Sequence, residues 1–235
     1  MYIAIYSAFI SPTSIAYIKT VIDYLNANHH DFILVDRLRK HLDDKGAAYK
    51  YFKDDQVIEE KVDFLFSVGG DGTLLRSITV IRDTKIPILG INAGRLGFLT
   101  SIKKDTLEEG LDLFFEGKYT NIKRSLLEVS TKKPVDTLQH FKYALNEVSI
   151  NRKNTTSLLS IDAKLDDQFL TTYWADGLII ATPTGSTGYS LSSGGPIVSP
   201  SSECLIVNPI APHNINMRPL IVPDKTIFEI SVKGR

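Results

Sequence analysis

The residues with the plainest chemical potential in this chain are Gly69-Gly70-Asp71-Gly72-Thr73. They follow an apolar run at 62–68 and precede a helical stripe of Leu74, Leu75, Ile78 and Ile81, so they form a turn from strand to helix. At such a turn, backbone N–H groups and a helix N-terminus converge on phosphate oxygens, which glycines allow to come close. Gly69, Gly70, Gly72 and Thr73 are therefore the expected phosphate loop. The Lys-Ser/Thr ending of a Walker loop is missing. A carboxylate at Asp71 suits proton acceptance from an attacking hydroxyl or contact with phosphate-bound Mg²⁺, and also suits a helix N-cap. The five-residue string in its strand-to-helix setting favours function. Arg76, one turn on, could fork onto a phosphate or stand in solvent.

A second constellation fills residues 176–196, where a strand opens into a stretch crowded with hydroxyls and glycines. Such a composition can make many short hydrogen bonds to ribose, amide and phosphate groups, and it is equally the composition of a polar turn. Tyr189 could stack on a base or pack ordinarily. Asn146 and Glu147 interrupt an otherwise apolar strand pattern, where a ribose diol or a solvent-facing edge could satisfy them.

Composition limits the alternatives. Lys plus Arg and Asp plus Glu each total 27, so no basic excess marks a nucleic acid or an acidic membrane as partner, and neither is expected. The single cysteine, Cys204, forms no intramolecular disulfide and reads as small buried filler, which fits a reducing, cytoplasmic setting. The apolar start lacks the basic region and cleavage pattern of a signal peptide, and no run is long enough to span a bilayer. The five histidines, at 29, 30, 41, 140 and 213, show no zinc spacing, so a metal held by protein alone is not expected. No Gly-x-Ser-x-Gly elbow supports a hydrolase.

The elements that must position these residues fall into two halves. Residues 1–120 alternate strand-like runs (2–6, 31–35, 62–68, 86–91) with helix-period segments, the pattern of an α/β domain with a parallel-type sheet. The first helix follows Pro12, with Thr13 or Ser14 as cap. A charged stretch at 37–45 reads as helical with Gly46 as its stop, and Leu107, Leu111, Phe114 and Phe115 make a helix ended by Gly117. In 121–235 the runs at 126–131, 145–150, 158–165, 178–182 and 227–232 are strand-like and long helical patterns vanish, so a β-rich, sandwich-like domain is expected. With no linker between them, a ligand is expected in the cleft.

Taken together, Gly69-Gly70-Asp71-Gly72-Thr73, Asn92-Ala93-Gly94-Arg95-Leu96-Gly97-Phe98-Leu99, Asn146-Glu147 and residues 176–196, in that order, resemble the bacterial NAD kinases along the whole chain. The first string alone is shared with lipid kinases and 6-phosphofructokinases; Thr182-Pro183-Thr184-Gly185-Ser186-Thr187 with Asn146-Glu147 is the specific part. The resemblance implies transfer of the γ-phosphoryl group of ATP, or a related donor, to the 2′-hydroxyl of the adenosine ribose of NAD, with Asp71 as catalytic base and a divalent cation such as Mg²⁺ delivered with ATP. It implies that Asn146 and Glu147 meet the nicotinamide ribose and that Asp176 lies near the carboxamide. Gly72, Arg76, Phe98, Thr184, Thr187, Gly188, Tyr189, Ser190, Leu191, Ser192 and Ala211 complete the implied NAD contacts. It further implies a homodimer or homotetramer.

Two positions depart from the family pattern. Trp174 stands where a basic residue is common, and Gly188 where alanine is frequent, the latter a change expected to leave the pocket intact. Relatives also continue past Lys233-Gly234-Arg235, so the family's closing segment is expected to be missing. A lipid or sugar kinase of the same superfamily and a non-catalytic NAD(P)-sensing module are the competing readings.

Overall fold

In the first half, five strands lie parallel: β1 (Tyr2–Tyr6), β2 (Asp31–Val35), β3 (Tyr51–Phe52), β4 (Phe64–Gly69) and β5 (Ile88–Asn92), in the order β3-β2-β1-β4-β5. The computed structural model describes residues 1–42, 49–55, 58, 61–94, 97, 99–136, 138, 141–153, 158–214 and 216–233. These divide into two compact units, Met1–Asn121 and Ile122–Arg235.

The central strands of the first unit are apolar throughout because a parallel sheet is covered on both faces. Ile3, Ala4, Ile5, Leu65, Phe66 and Val68 have no exposed surface. β4 starts two residues later than the apolar run suggests. Asp63 accepts the Tyr2 N–H on its side chain and donates its own amide to the Tyr2 carbonyl, so ladder pairing begins only after it.

Helix α1 (Pro12–Ala27) is capped by Ser11, two residues before the expected Thr13 and three before Ser14. Ser14 Oγ accepts from the Ser11 amide at 2.8 Å while Ser11 Oγ accepts from the Ser14 amide at 3.1 Å, a reciprocal box, and Pro12 fits the first helical position because it has no N–H to satisfy. The charged stretch gives a 3₁₀ turn (Asp36–Leu38) and the short α2 (Arg39–Leu42); residues 43–45 and Gly46 lie outside the described residues. After α3 (Asp71–Ile81) and β5, α4 (Leu107–Phe115) sets Phe114 edge-on against Phe64 and Phe66, with ring centroids 4.8 and 5.2 Å apart, and is followed by Gly117 at φ +75°.

The strand order reverses between β1 and β4. In an open parallel sheet this is the topological switch point, where a crevice opens at the carboxyl ends of the strands. The Gly69–Thr73 loop leaves β4 at that end.

The second unit is antiparallel. Its strands are β6 (Leu127–Glu128), β7 (Tyr143–Ala144), β8 (Glu147–Asn151), β9 (Leu159–Leu165), β10 (Gln168–Ala175), β11 (Gly177–Ala181), β12 (Cys204–Ile210), β13 (Leu220–Pro223) and β14 (Phe228–Lys233). They form sheets ordered β13-β12-β11-β8, β10-β9-β14 and β6-β7. Leu178 and Val207 of the first sheet pack with Ile161, Ala163 and Tyr173 of the second, which makes the expected sandwich. The run at 126–131 shortens to the two residues of β6, and strands β7, β10, β12 and β13 add to those expected. The hydroxyl-rich stretch folds into a 3₁₀ turn (Thr184–Thr187) and a helical turn, α5 (Tyr189–Ser192). Cys204 is only partly buried, short of the filler role expected for it, and what burial it has pushes its thiol pKa up. Among the described residues no helix is long and apolar enough to cross a membrane.

Leu178 is fully buried in the core of the sandwich, on the strand that leads into residues 182–192. Leu178→Ala is expected to cost about 3 kcal/mol, the usual penalty of a cavity in a well-packed core. Urea unfolding of the two proteins measures it; a loss under about 1 kcal/mol would mean that the two sheets do not close over this side chain.

Candidate functional site

In the first unit the site forms around Asp71. Gly70 is the N-cap of α3 and contributes no side-chain bond, so Asp71 is the first helical residue and not the cap. Asp71 Oδ1 accepts the backbone N–H of Leu99 at 3.0 Å. Gly97 makes this approach possible: a Cβ there would stand 2.1 Å from Asp71 Oδ1. The Ala93 amide donates to the Gly69 carbonyl at 3.2 Å, and the Asn92 side chain accepts from the Gly94 amide at 2.8 Å. Two of the sequence motifs, the glycine loop and the segment beginning at Asn92, are thus joined by backbone hydrogen bonds. Phe98 lies outside the described residues.

Arg76 is exposed on α3, with its guanidinium 4.8 Å from the centroid of the Phe9 ring. Phe9 follows β1 at the switch point, is 57% exposed, and approaches the Gly72 position to 3.8 Å. Sequence reading missed it. An aromatic side chain just past the first strand of a parallel sheet is the signal that could have found it.

In the second unit, Asn146 precedes β8 and Glu147 opens it. The Asn146 carbonyl accepts the Thr182 amide at 2.9 Å, and Gly185 lies so close that a Cβ on it would stand 2.0 Å from the same oxygen. Glu147 accepts the Tyr189 amide, while its Oε2 is buried without a hydrogen-bond partner. Burial pushes the Glu147 pKa up, and the Tyr189 N–H pulls against that rise. Thr184 is buried and its hydroxyl accepts from Arg124 at 3.1 Å. Thr187, Tyr189, Leu191 and Ser192 are exposed around Gly188.

Ser190 differs from its neighbours. It is fully buried, and Asn208 of β12 donates to its carbonyl at 2.9 Å and to its hydroxyl at 3.3 Å. Its side chain is turned inward, which leaves only backbone for a ligand. Asn208 was not foreseen, although an amide inside the apolar run 204–210 was a visible signal.

Asp176 is not brought to Glu147 within one chain. It is ion-paired to Arg152 at 2.8 Å, and Arg152, a second residue missed, sits past the end of β8. Glu147 pairs with Ala181, at the far end of β11 from Asp176. The length of β11, at about 3.3 Å per residue, therefore lies between them. Ala211, held at φ +44°, lies on the Asp176 side, since the Asp176 amide donates to the Ile210 carbonyl. Trp174 is half exposed in β10, and its carbonyl accepts the His213 amide.

Among the described residues no group of three or more His, Cys, Asp or Glu side chains is placed to hold a metal ion. The first unit can hold a carboxylate beside a phosphate-sized turn. The second can offer an amide, a carboxylate and hydroxyls to a sugar.

Comparison with known proteins joins these halves to one family. The ATP-NAD kinase N-terminal domain matches residues 18–119 and the ATP-NAD kinase C-terminal domain matches residues 145–235. An NAD kinase of Flavobacterium psychrophilum is 43% identical over all of this chain and 81% of its own length, and one of Christiangramia forsetii is 44% identical with the same coverage. Yeast NADH kinase complexed with NADH superposes with a TM-score of 0.85 at 25% identity, over 99% of this chain and 72% of the yeast chain. An NAD kinase from Archaeoglobus fulgidus in complex with ATP superposes with a TM-score of 0.76 at 27% identity, over 99% and 81%. Matched in both halves and at this identity over its full length, the chain belongs to the NAD kinase family.

Proposed function

We infer that this phosphotransferase moves the γ-phosphoryl group of ATP onto the 2′-hydroxyl of the adenosine ribose of NAD, with Asp71 as general base. One observation carries the assignment of the base: in a chain of this family, a carboxylate stands at the first position of a helix, after a glycine loop at the switch point of a parallel sheet, oriented by the Leu99 amide. Phosphoryl transfer asks little covalent chemistry of a protein beyond alignment and charge neutralisation. A ribose hydroxyl is a weak acid, so Asp71 takes its proton as the new oxygen–phosphorus bond forms and orients the oxygen before that. Gly69, Gly70, Gly72 and Thr73 offer the backbone that receives phosphate, with Arg76 beside them.

A divalent cation such as Mg²⁺, carried in on the triphosphate, supplies charge neutralisation at the transferred group. The donor set fits a cation delivered in that way, with Asp71 the loop's own carboxylate.

In the second unit, the Asn146 side chain and Glu147 receive the nicotinamide ribose. The enclosed Glu147 Oε2 supports this, since a ribose diol brings the donor that such an oxygen needs. Thr184, Thr187, Gly188, Tyr189, Leu191, Ser192 and the Ser190 backbone surround the same position. Asp176 and Ala211 stand at the other end of β11. A homo-oligomer in which a second copy supplies the Asp176 end accounts for both groups of residues.

Glu147 is held at a cost. With its pKa raised, the folded state favours the protonated form, so its contribution to stability is complete below the ordinary glutamate range and is lost as pH rises through the raised value. Glu147→Gln is therefore expected to raise the melting temperature at pH 8, with the gap to the wild type closing as pH is lowered. A gap independent of pH would show that the carboxylate ionises without penalty.

The activity itself is read as NADP formed from NAD, ATP and Mg²⁺. Asp71→Asn is expected to lower kcat by about 10²- to 10⁴-fold while the Kd for NAD, measured by titration calorimetry, stays within about twofold. Wild-type turnover in that variant would remove Asp71 from the role of base.

A further inference from the structure

Thr182 lies one residue past β11 and is wholly buried, so its hydroxyl has to find partners inside the protein. It finds two. It donates to the carbonyl oxygen of Leu145 and accepts from the amide of Gly185 at 3.2 Å. Its own amide donates to the carbonyl oxygen of Asn146 at 2.9 Å. One threonine thus grips two consecutive peptide units, those of Leu145 and Asn146, immediately before Glu147. Gly185 closes the grip from the other side, its backbone too near the Asn146 carbonyl for any side chain to intervene.

We propose that Thr182 is a positioning residue: its buried hydroxyl fixes Asn146 and Glu147 for the ribose diol and so sets the affinity for NAD without touching it. The proposal rests on the reading of Asn146 and Glu147 as NAD-binding groups. The chemistry is selective for a hydroxyl, because one small group must donate to a carbonyl and accept from an amide at once. Alanine or valine would leave both backbone groups unpaired in the interior. The displacement would pass to Glu147, whose Oε2 is buried without a hydrogen-bond partner that could hold it in place.

The test is steady-state kinetics on the full chain for Thr182→Ser, Thr182→Ala, Glu147→Gln and the Thr182→Ala/Glu147→Gln pair. Thr182→Ser keeps the hydroxyl and is expected to keep the KM for NAD within about twofold, whereas Thr182→Ala raises it about tenfold, the equivalent of one buried hydrogen bond. The KM for ATP stays unchanged and kcat moves by no more than about threefold, because remote binding is lost equally from ground and transition states. In the pair, the rise in KM is smaller than the product of the single effects, since both substitutions act on one contact. Should Thr182→Ala fail to accumulate as folded protein, Thr182→Val keeps the volume and carries the same expectation. A lowered melting temperature with an unaltered KM for NAD would make Thr182 merely structural and overturn the proposal. An unaltered KM in Glu147→Gln would instead overturn the NAD-binding reading of Glu147, and the proposal with it; a raised KM there with none in Thr182→Ala sinks the proposal alone.

Discussion

The hydrogen bond from the Leu99 amide to the Asp71 carboxylate is the constraint on which the candidate site of the first unit depends. A carboxylate at the start of a helix has a ready local use as a cap, and a capping side chain folds back on its own backbone. Here Gly70 takes the cap position, and an amide from a different segment holds the carboxylate outward. That amide reaches Asp71 only because residue 97 has no side chain. The segment that begins at Asn92 therefore belongs to the candidate site through its backbone, by way of Gly97 and Leu99. Its attachment to the loop through Ala93 and Gly69 ties both to the carboxyl ends of β4 and β5, the most deeply packed part of the sheet.

The second unit solves a different problem, how to present polar groups from inside an apolar sandwich. Its answer is buried hydrogen bonding from behind. Thr182 holds the backbone that carries Glu147, and Asn208 holds the turn that carries Tyr189. Both are small polar side chains placed where a sheet would otherwise put valine or isoleucine. The Thr182 hydroxyl both donates and accepts, and the Asn208 amide group donates to Ser190, which is the kind of buried pairing that rigidifies a structure.

These differences explain what could be read from the residues alone. The α/β order, the loop and Asp71 were legible because strand and helix periods change abruptly on either side of 69–73. The stretch 182–192 was legible as polar but not as ordered, since hydroxyls and glycines carry no periodicity. Ser190 was grouped with its neighbours as a ligand contact, yet in a helical turn each residue rotates about 100° from the last. Tyr189 and Leu191 therefore face solvent while Ser190 faces Asn208. Asp176 and Glu147 were likewise assigned to one half of one ligand. Only the register of β8 against β11 reveals that the length of a strand lies between them. Ser11 was passed over as a cap because Pro12 draws attention to the residues after it, whereas the box needs the residue before.

Glu147 places a carboxylate where the fold disfavours charge. A buried strand end beside Gly188 and Tyr189 would be most stable with an apolar or neutral group, and the raised pKa expresses that preference. The chain places a carboxylate there and keeps Gly188 beside it. An alanine at 188 would bring its Cβ to 2.9 Å from Glu147 Oε2 and 3.4 Å from Asn146 Nδ2, so the pair would have to shift by a few tenths of an ångström. With glycine at 188, the space that a methyl group would take beside the carboxylate stays open, and the position of Glu147 is left to the Tyr189 amide and to the backbone that Thr182 holds.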